Sequence, residues 1–451
     1  MITRIEIDGF KSFTDFALDL EPFTVIAGVN GVGKSNLFDA LRHLNRLVGG
    51  AGTQNPSTLR AAFESSRGSL HDLFTQYSDQ ARADTMRFVV ELLLAPAVID
   101  PYGVKAKIQH RRVRYELKVG LQGDTPRLLF ERLTAIPRRS DTFLKRNKEL
   151  RAQLPTLKSG RTSDFIATES DRIVVRQDRK GGRKHPIPLA ATTSTALSSI
   201  SDVTFPHAYA TRRALADLHF LQLEPDALRS PSPFAGPTDL TPRGEGLPAV
   251  MARIERTDAT IVDRIANDVA RIVPGIHQLM IRSDHTRNEW SLDAAHVDGD
   301  TIPARLISDG TLRIVTLATL VHDPEARGTV ILEEPENGVY AGRATELLRL
   351  LHSFAHSRSG EPWTRQLLVN THSVPLVCAM REAEMTHSLL FAFIKRAMRV
   401  DRPPHRATVI APVQARALQE RLFDSSQMHL RAIAFSEMER LLTAASGEDA
   451  V

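Results

Sequence analysis

The chain has 451 residues, 42% of them apolar and 25% charged, enough to bury a substantial core in one elaborated domain or two to three lobes. Its single cysteine, Cys378, rules out an internal disulfide and a multi-thiolate zinc site, and fits a reducing cytosol. There is no run of 18 apolar residues, and Met1 leads directly into the alternating stretch Ile2–Ile7, so neither a membrane span nor a secretory leader is expected and the setting is read as cytoplasmic. The net charge of +5 is uneven. Residues 104–185 hold 22 Lys and Arg against 9 Asp and Glu, leaving the remainder net acidic by 8. That segment is either a solvated face or a surface for phosphate-rich partners such as DNA.

Three short apolar runs, Phe23–Ala27, Thr329–Leu332 and Gln366–Val369, are too short for helices and suit strands buried on both faces of a parallel or mixed sheet. After the first, Leu37, Leu41, Leu44 and Val48 recur at helical spacing, and Leu347, Leu348 and Leu351 do so after the second. Between them, Met86–Leu93, Val113–Val119 and Arg127–Leu133 alternate as successive antiparallel strands would. A polar helix is read over Thr142–Gln153, a turn at Gly181–Gly182, a surface connection at Ser230–Pro237 and one helix over Pro248–Val273. The fold class expected is α/β, a mixed sheet of parallel strands plus antiparallel strands with a helical lobe. Its parts are expected at 1–139 (first half of the core), 140–245 (an inserted mixed segment), 246–325 (the helical lobe), 326–400 (second half of the core) and 401–451 (a C-terminal tail).

Gly28-Val29-Asn30-Gly31-Val32-Gly33-Lys34-Ser35 fits the P-loop pattern between an apolar run and a helix. Glycines let successive N–H groups, including those of Asn30, Gly31 and Gly33, turn inward at phosphate oxygens, and the helix adds its unpaired N-terminal donors. Lys34 is placed for the β- and γ-phosphates of ATP and the Ser35 hydroxyl for Mg²⁺. At the end of the second run, Glu333 is the candidate Mg²⁺ carboxylate and Glu334 the base for an attacking water. His372, ending the third run, is placed to bond the γ-phosphate or that water. Ile307-Ser308-Asp309-Gly310-Thr311 opens another helical pattern. The Ser308 hydroxyl and Gly310 amide would make a second phosphate clamp, from which Asp309 should point away; a plain Ser helix cap is the alternative.

P-loop, signature-like string, double glutamate and strand-end histidine, in this order, resemble an ABC-type ATPase head. The opening Ile5-Glu6-Ile7-Asp8-Gly9-Phe10-Lys11-Ser12-Phe13 resembles the start of RecF and structural-maintenance-of-chromosomes (SMC) ATPases, a likeness that implies an approach of Lys11 to the nucleotide. Glu333-Glu334-Pro335-Glu336-Asn337-Gly338 and Ser-Asp-Gly-Thr resemble more closely the bacterial overcoming-lysogenisation-defect (OLD) ATPases. The resemblance implies a homodimer or higher homo-oligomer with ATP between copies, hydrolysis, and a switch or sensor role, DNA-associated through 104–185, in anti-phage or anti-plasmid defence. The alternative is RecF-like or SMC-like DNA repair or chromosome maintenance. Two features depart from the family: Val339-Tyr340-Ala341 follows Asn-Gly where Ile-His-Pro is common, and 79 residues follow His372 where OLD proteins carry a Toprim nuclease, so a separate effector protein is expected. Gln76 is the candidate for the glutamine of transporter heads. A transporter subunit is disfavoured by the roughly 280 residues between Gly28 and Ser308, and an ATP-locked scaffold by Glu334.

Overall fold

The structure, a computed structural model, describes residues 1–49, 58–64, 66, 69–78, 81–154, 164–177, 184–355, 365–399, 402–414 and 433–446. The expected turn at Gly181–Gly182 lies outside the described residues.

The chain begins with β1 (Ile2–Asp8) and β2 (Phe16–Asp19), then β3 (Phe23–Ala27), which runs through the P-loop into α1 (Lys34–Leu47). Next come β4 (Thr85–Leu93), a small hairpin of β5 (Ala97–Ile99) and β6 (Lys105–Lys107), and the long strands β7 (Arg112–Gln122) and β8 (Thr125–Ala135). Strands β1, β4, β7 and β8 pair antiparallel in the order β8-β7-β4-β1, with β2 at one edge. Beyond β8 the sheet is extended by β9 (Ile166–Glu169), β10 (Arg172–Arg176) and β11 (Lys184–Pro188). The three alternating stretches read from sequence lie within β4, β7 and β8.

The second sheet is the one that positions the site. Its order is β12 (Leu218–Leu221), β15 (Gly328–Glu333), β16 (Arg365–Thr371), β3, β17 (Leu389–Arg399), β18 (Arg402–Gln414) and β19 (Ile433–Ala434); the first five are parallel, and β18 is antiparallel to β17. Two strands outside it, β13 (Ile276–Asp284) and β14 (Glu289–His296), form a separate hairpin. All three apolar runs enter this sheet, and the reason for their continuity is visible in the packing. Val25, Val330, Leu332, Leu367 and Val369 face one core, while Ile26, Ile331 and Leu368 face the other, so both faces of each strand are dry.

Two helix readings change. The single helix expected over Pro248–Val273 is two, α5 (Leu247–Thr257) and α6 (Ala259–Ile272), because the Asp258 side chain accepts the Thr260 N–H and starts a new helix there. The polar helix over Thr142–Gln153 is likewise divided at Asn147 into α2 (Thr142–Arg146) and α3 (Lys148–Gln153). Within 401–451, Arg402–Gln414 forms β18 of the central sheet, and within 140–245, Leu218–Leu221 forms its edge strand β12. The helix α7 (Asp309–His322), which opens on the Ser308–Thr311 string, follows, and Tyr340–Ala341 leads into a helix at Ala344–Ala355.

Candidate functional site

At the C-terminal end of β3 the backbone turns through residues 28–33, with Gly31 and Gly33 at positive φ of 80° and 92°. Gly33 could be nothing larger: a Cβ there would lie 2.2 Å from Thr408 Oγ1 and 3.0 Å from Ser12 Oγ. These two hydroxyls brace the loop from behind. Ser12 Oγ is 2.7 Å from Thr408 Oγ1 and accepts from Asn36 Nδ2 at 2.8 Å, and Thr408 Oγ1 donates to the Val32 carbonyl at 2.8 Å. The helix α1 that follows has no side-chain cap, so its first N–H groups remain available to an anion.

Lys34 is buried, and its ammonium donates to the carbonyls of Gly28 and Val29, the latter at 2.9 Å. Burial lowers its pKa, while the negative fields of Glu334 and Glu336 work in the opposite direction. Asn30 and Ser35 are exposed at the mouth of the loop. A buried cation satisfied among the described residues only by loop carbonyls, beside an uncapped helix N-terminus, fits a triphosphate.

The acidic end of β15 is held in a strained turn. Glu334 has φ 47°, and its N–H donates to both the carbonyl and Oδ1 of Asn370, each at 3.1 Å. Its carboxylate is gripped at both oxygens: His372 Nδ1 lies 3.0 Å from Oε1, and Asn337 Nδ2 donates to Oε2 at 2.9 Å. The fold thus brings Glu334 and His372 together. Glu336 accepts from the Thr371 hydroxyl through Oε1, while its Oε2 is buried without a partner among the described residues, and burial raises its pKa. An unpartnered buried carboxylate oxygen near Lys34 suits a site that receives a further polar or cationic group.

Glu333 reaches the other side of the mouth. Its Oε1 is 3.6 Å from Arg42, which also pairs with Asp39 at 3.1 Å and lies over the Phe220 ring. Asp39 in turn receives Lys11 Nζ at 2.6 Å. Lys11 is therefore tied to α1 one turn beyond Ser35, inside a chain of four charges that ends on Glu333. Sequence reading missed Asp39 and Arg42, although their i+4 and i+7 spacing from Ser35 puts all three along one side of α1. It also missed Asn337, Asn370 and the Ser12–Thr408 brace, whose partners are distant in sequence.

Ser308 caps α7: its Oγ accepts the Thr311 N–H at 3.3 Å and lies 2.8 Å from the Thr311 hydroxyl. Asp309 turns to Arg229, at the end of α4 (Pro225–Arg229), which also donates to the Ile307 carbonyl at 3.2 Å. Gly310 lies against Gly338, four residues beyond Glu334. Ser308 and Gly310 are thus joined to the Glu334 loop; none of the hydrogen bonds among the described residues links them to the P-loop. Two exposed apolar side chains flank this contact, Leu306 at 69% and Tyr340 at 78% exposure. Gln76 sits on a short strand, Gln76–Ser78, paired with Ala81–Arg82.

A P-loop on a parallel sheet, acidic and histidine strand ends beside it, and a signature-like helix packed on the acidic turn define an ABC-type ATPase head. The chain belongs to the family described as "AAA domain, putative AbiEii toxin, Type IV TA system", whose profile matches residues 23–379. No curated protein matches it in sequence. Its fold is that of SMC heads. It is similar to an SmcHead bound to the C-winged helix domain of ScpA, with 14% identity and a TM-score of 0.50 over 91% of this chain and 97% of that one. The SMC head domain from Thermotoga maritima gives 13% identity and a TM-score of 0.40 over 92% and 99%. An Smc head with coiled coil and joint from Pyrococcus yayanosii gives 11% and 0.46 over 99% of each chain. Among the described residues, no helix is long and apolar enough to cross a membrane.

Proposed function

We propose that this head binds and hydrolyses ATP, and that two copies close around the nucleotide. The observation that carries the reading is the grip on Glu334, a carboxylate held by His372 and Asn337 beside the P-loop lysine. In that role Glu334 accepts the proton of the attacking water, and His372 keeps the carboxylate aimed until the γ-phosphate competes for the imidazole. Asn30, Gly31, Gly33 and Lys34 cradle the phosphates. Ser35 and Glu333 would hold Mg²⁺, which when bound supplies positive charge against that developing on the phosphate oxygens. Lys11 and Arg42 set the charge around Glu333 through Asp39. Ser308 and Gly310 of a second copy complete each site, a reading supported by the exposed Leu306 and Tyr340 around them.

The test is steady-state ATP hydrolysis by the purified chain with Mg²⁺. Turnover abolished in Lys34→Ala with loss of ATP binding, and in Glu334→Gln with binding retained, supports the assignment. Unchanged turnover in Glu334→Gln removes it.

The finer reading is an ATP-switched sensor acting with a separate effector in defence against phage or plasmids, which the family's description as a Type IV toxin–antitoxin component favours. RecF-like or SMC-like chromosome maintenance is the second reading, favoured by the SMC-head fold. In both, residues 104–185 contact DNA. Phage plaque counts on cells carrying the gene alone and with its chromosomal neighbours separate the two: protection supports defence, and DNA-damage sensitivity of a deletion without any change in plaque counts supports maintenance.

A further inference from the structure

Several described cations of the basic segment are tied to carboxylates of the fold, and two on one hairpin are not. Arg112, Arg114, Arg132, Arg146, Arg172 and Arg176 are spent on ion pairs with the fold's own carboxylates. Lys105 and Lys107 are exposed and form no ion pair among the described residues. They lie on the β5–β6 hairpin, whose register sets Ala97 opposite Lys107, Val98 opposite Ala106 and Ile99 opposite Lys105. Since alternate residues face opposite sides, Val98 packs on the core while Ile99 and both lysines face outward.

The tip is apolar and hydrogen-bonded. Tyr102 is 81% exposed, Ile99 58% and Val104 53%. Beneath them Asp100 is buried and its Oδ1 accepts the N–H groups of Tyr102 at 3.0 Å and Val104 at 2.8 Å; the backbone adds Asp100 N–H to the Val104 carbonyl at 3.1 Å. Gly103 takes φ 82°, a turn that favours glycine. An aromatic ring held out by a hydrogen-bonded turn, with two free lysines behind it, is pre-organised for a partner that offers both π-faces and negative charge.

We infer that the β5–β6 hairpin binds single-stranded nucleic acid, Tyr102 stacking on an unpaired base while Lys105 and Lys107 neutralise neighbouring phosphates. Duplex bases present no free face to a ring, whereas an unpaired strand does. The surroundings have the matching charge. Leu93, at the hairpin's base, packs with Phe143, Leu144 and Leu150 of α2 and α3, and those helices expose Lys145, Lys148 and Arg151 at the same end of the sheet. This end lies at the opposite end of β1 from Lys11, so the hairpin is remote from the ATP site. The inference rests on the nucleic-acid reading above and is separable from ATP hydrolysis.

The experiment uses the full chain and fluorescence anisotropy with a labelled oligothymidylate, its duplex, and phosphatidylserine vesicles as a third probe. Tyr102→Ala should weaken oligothymidylate binding at least about fivefold, Tyr102→Phe should restore it, and basal ATP turnover should be the same in all. Lys105→Gln with Lys107→Gln should reduce the slope of log affinity against log salt by about 1.4. Failure of the wild type to bind any nucleic acid overturns the whole nucleic-acid reading. Binding that ignores Tyr102, or prefers duplex, overturns the hairpin's role alone, and vesicle binding that depends on Tyr102 while oligonucleotide binding does not assigns the surface to a membrane instead.

Discussion

Gly310 and Gly338 stand backbone against backbone: a Cβ built on Gly310 would lie 1.9 Å from the Gly338 carbonyl oxygen, and Gly338 takes φ 79°. The first turn of the signature helix therefore rests on the loop that carries Glu334 and Asn337, and a shift of one must move the other.

Gly310→Ala should displace that loop at a cost of about 1–3 kcal/mol and lower ATP turnover while leaving ATP binding at the P-loop intact. Thermal unfolding and nucleotide titration, run beside the turnover assay, check this. A variant with wild-type turnover would mean that the contact has no bearing on the reaction.

Asn337→Ala removes one of the two groups holding the Glu334 carboxylate. It should lower kcat about tenfold with KM little changed, the pattern of a positioning residue rather than a binding one. His372→Ala removes the other and, on the role proposed for the ring at the γ-phosphate, should cost more. Equal kcat in all three proteins would show that the grip is incidental.

Glu131 is fully buried on β8, accepting from the Tyr115 hydroxyl at 2.9 Å and the N–H groups of Ala196 at 2.6 Å and Leu197 at 2.8 Å. Burial outweighs these donors and raises its pKa from 4.5 to about 7. The folded state then holds a proton that the unfolded state releases, so this group's contribution to stability is complete below about pH 4.5 and is lost as pH rises through about 7, a change of about 3 kcal/mol at most. Denaturant midpoints from pH 4.5 to 8 should fall with that slope in the wild type and less steeply in Glu131→Gln.

Arg112 and Asp141 form a buried two-bond pair, with side chains 3% and 0% exposed and contacts of 2.7 and 3.1 Å, linking β7 to the start of α2. Asp141→Ala removes the guanidinium's close carboxylate, leaving it the Thr3 hydroxyl at 2.6 Å and Glu91 at 3.4 Å, and also removes the cap that accepts the Leu144 N–H. It should destabilise by about 3–5 kcal/mol in urea unfolding. A loss under 1 kcal/mol would mean that water replaces the carboxylate.

Those residues whose chemistry is local were legible in the sequence. The P-loop, Glu333-Glu334 and His372 end strands that betray themselves as unbroken apolar runs, because each is dry on both faces. What stayed hidden depends on distance along the chain. Thr408 braces the P-loop across 376 residues, and Asn370 shapes the Glu334 turn from a neighbouring strand. The edge strand Leu218–Leu221 is short, and the break at Asp258 lies inside an otherwise continuous apolar helical period, which a side-chain cap overrides. Asp39 and Arg42 were within reach, since helix geometry alone aligns them with Ser35.

The central claim is an ATP site shared between two copies, and subunit mixing tests it most directly. Lys34→Ala disables the P-loop and Ser308→Arg blocks the signature helix, so each variant alone should be inactive. Mixed in equal amounts, they form heterodimers in which one site pairs an intact P-loop with an intact signature, and turnover should recover to about a quarter of wild type. No recovery on mixing two folded variants, or full activity of Ser308→Arg alone, would contradict the account.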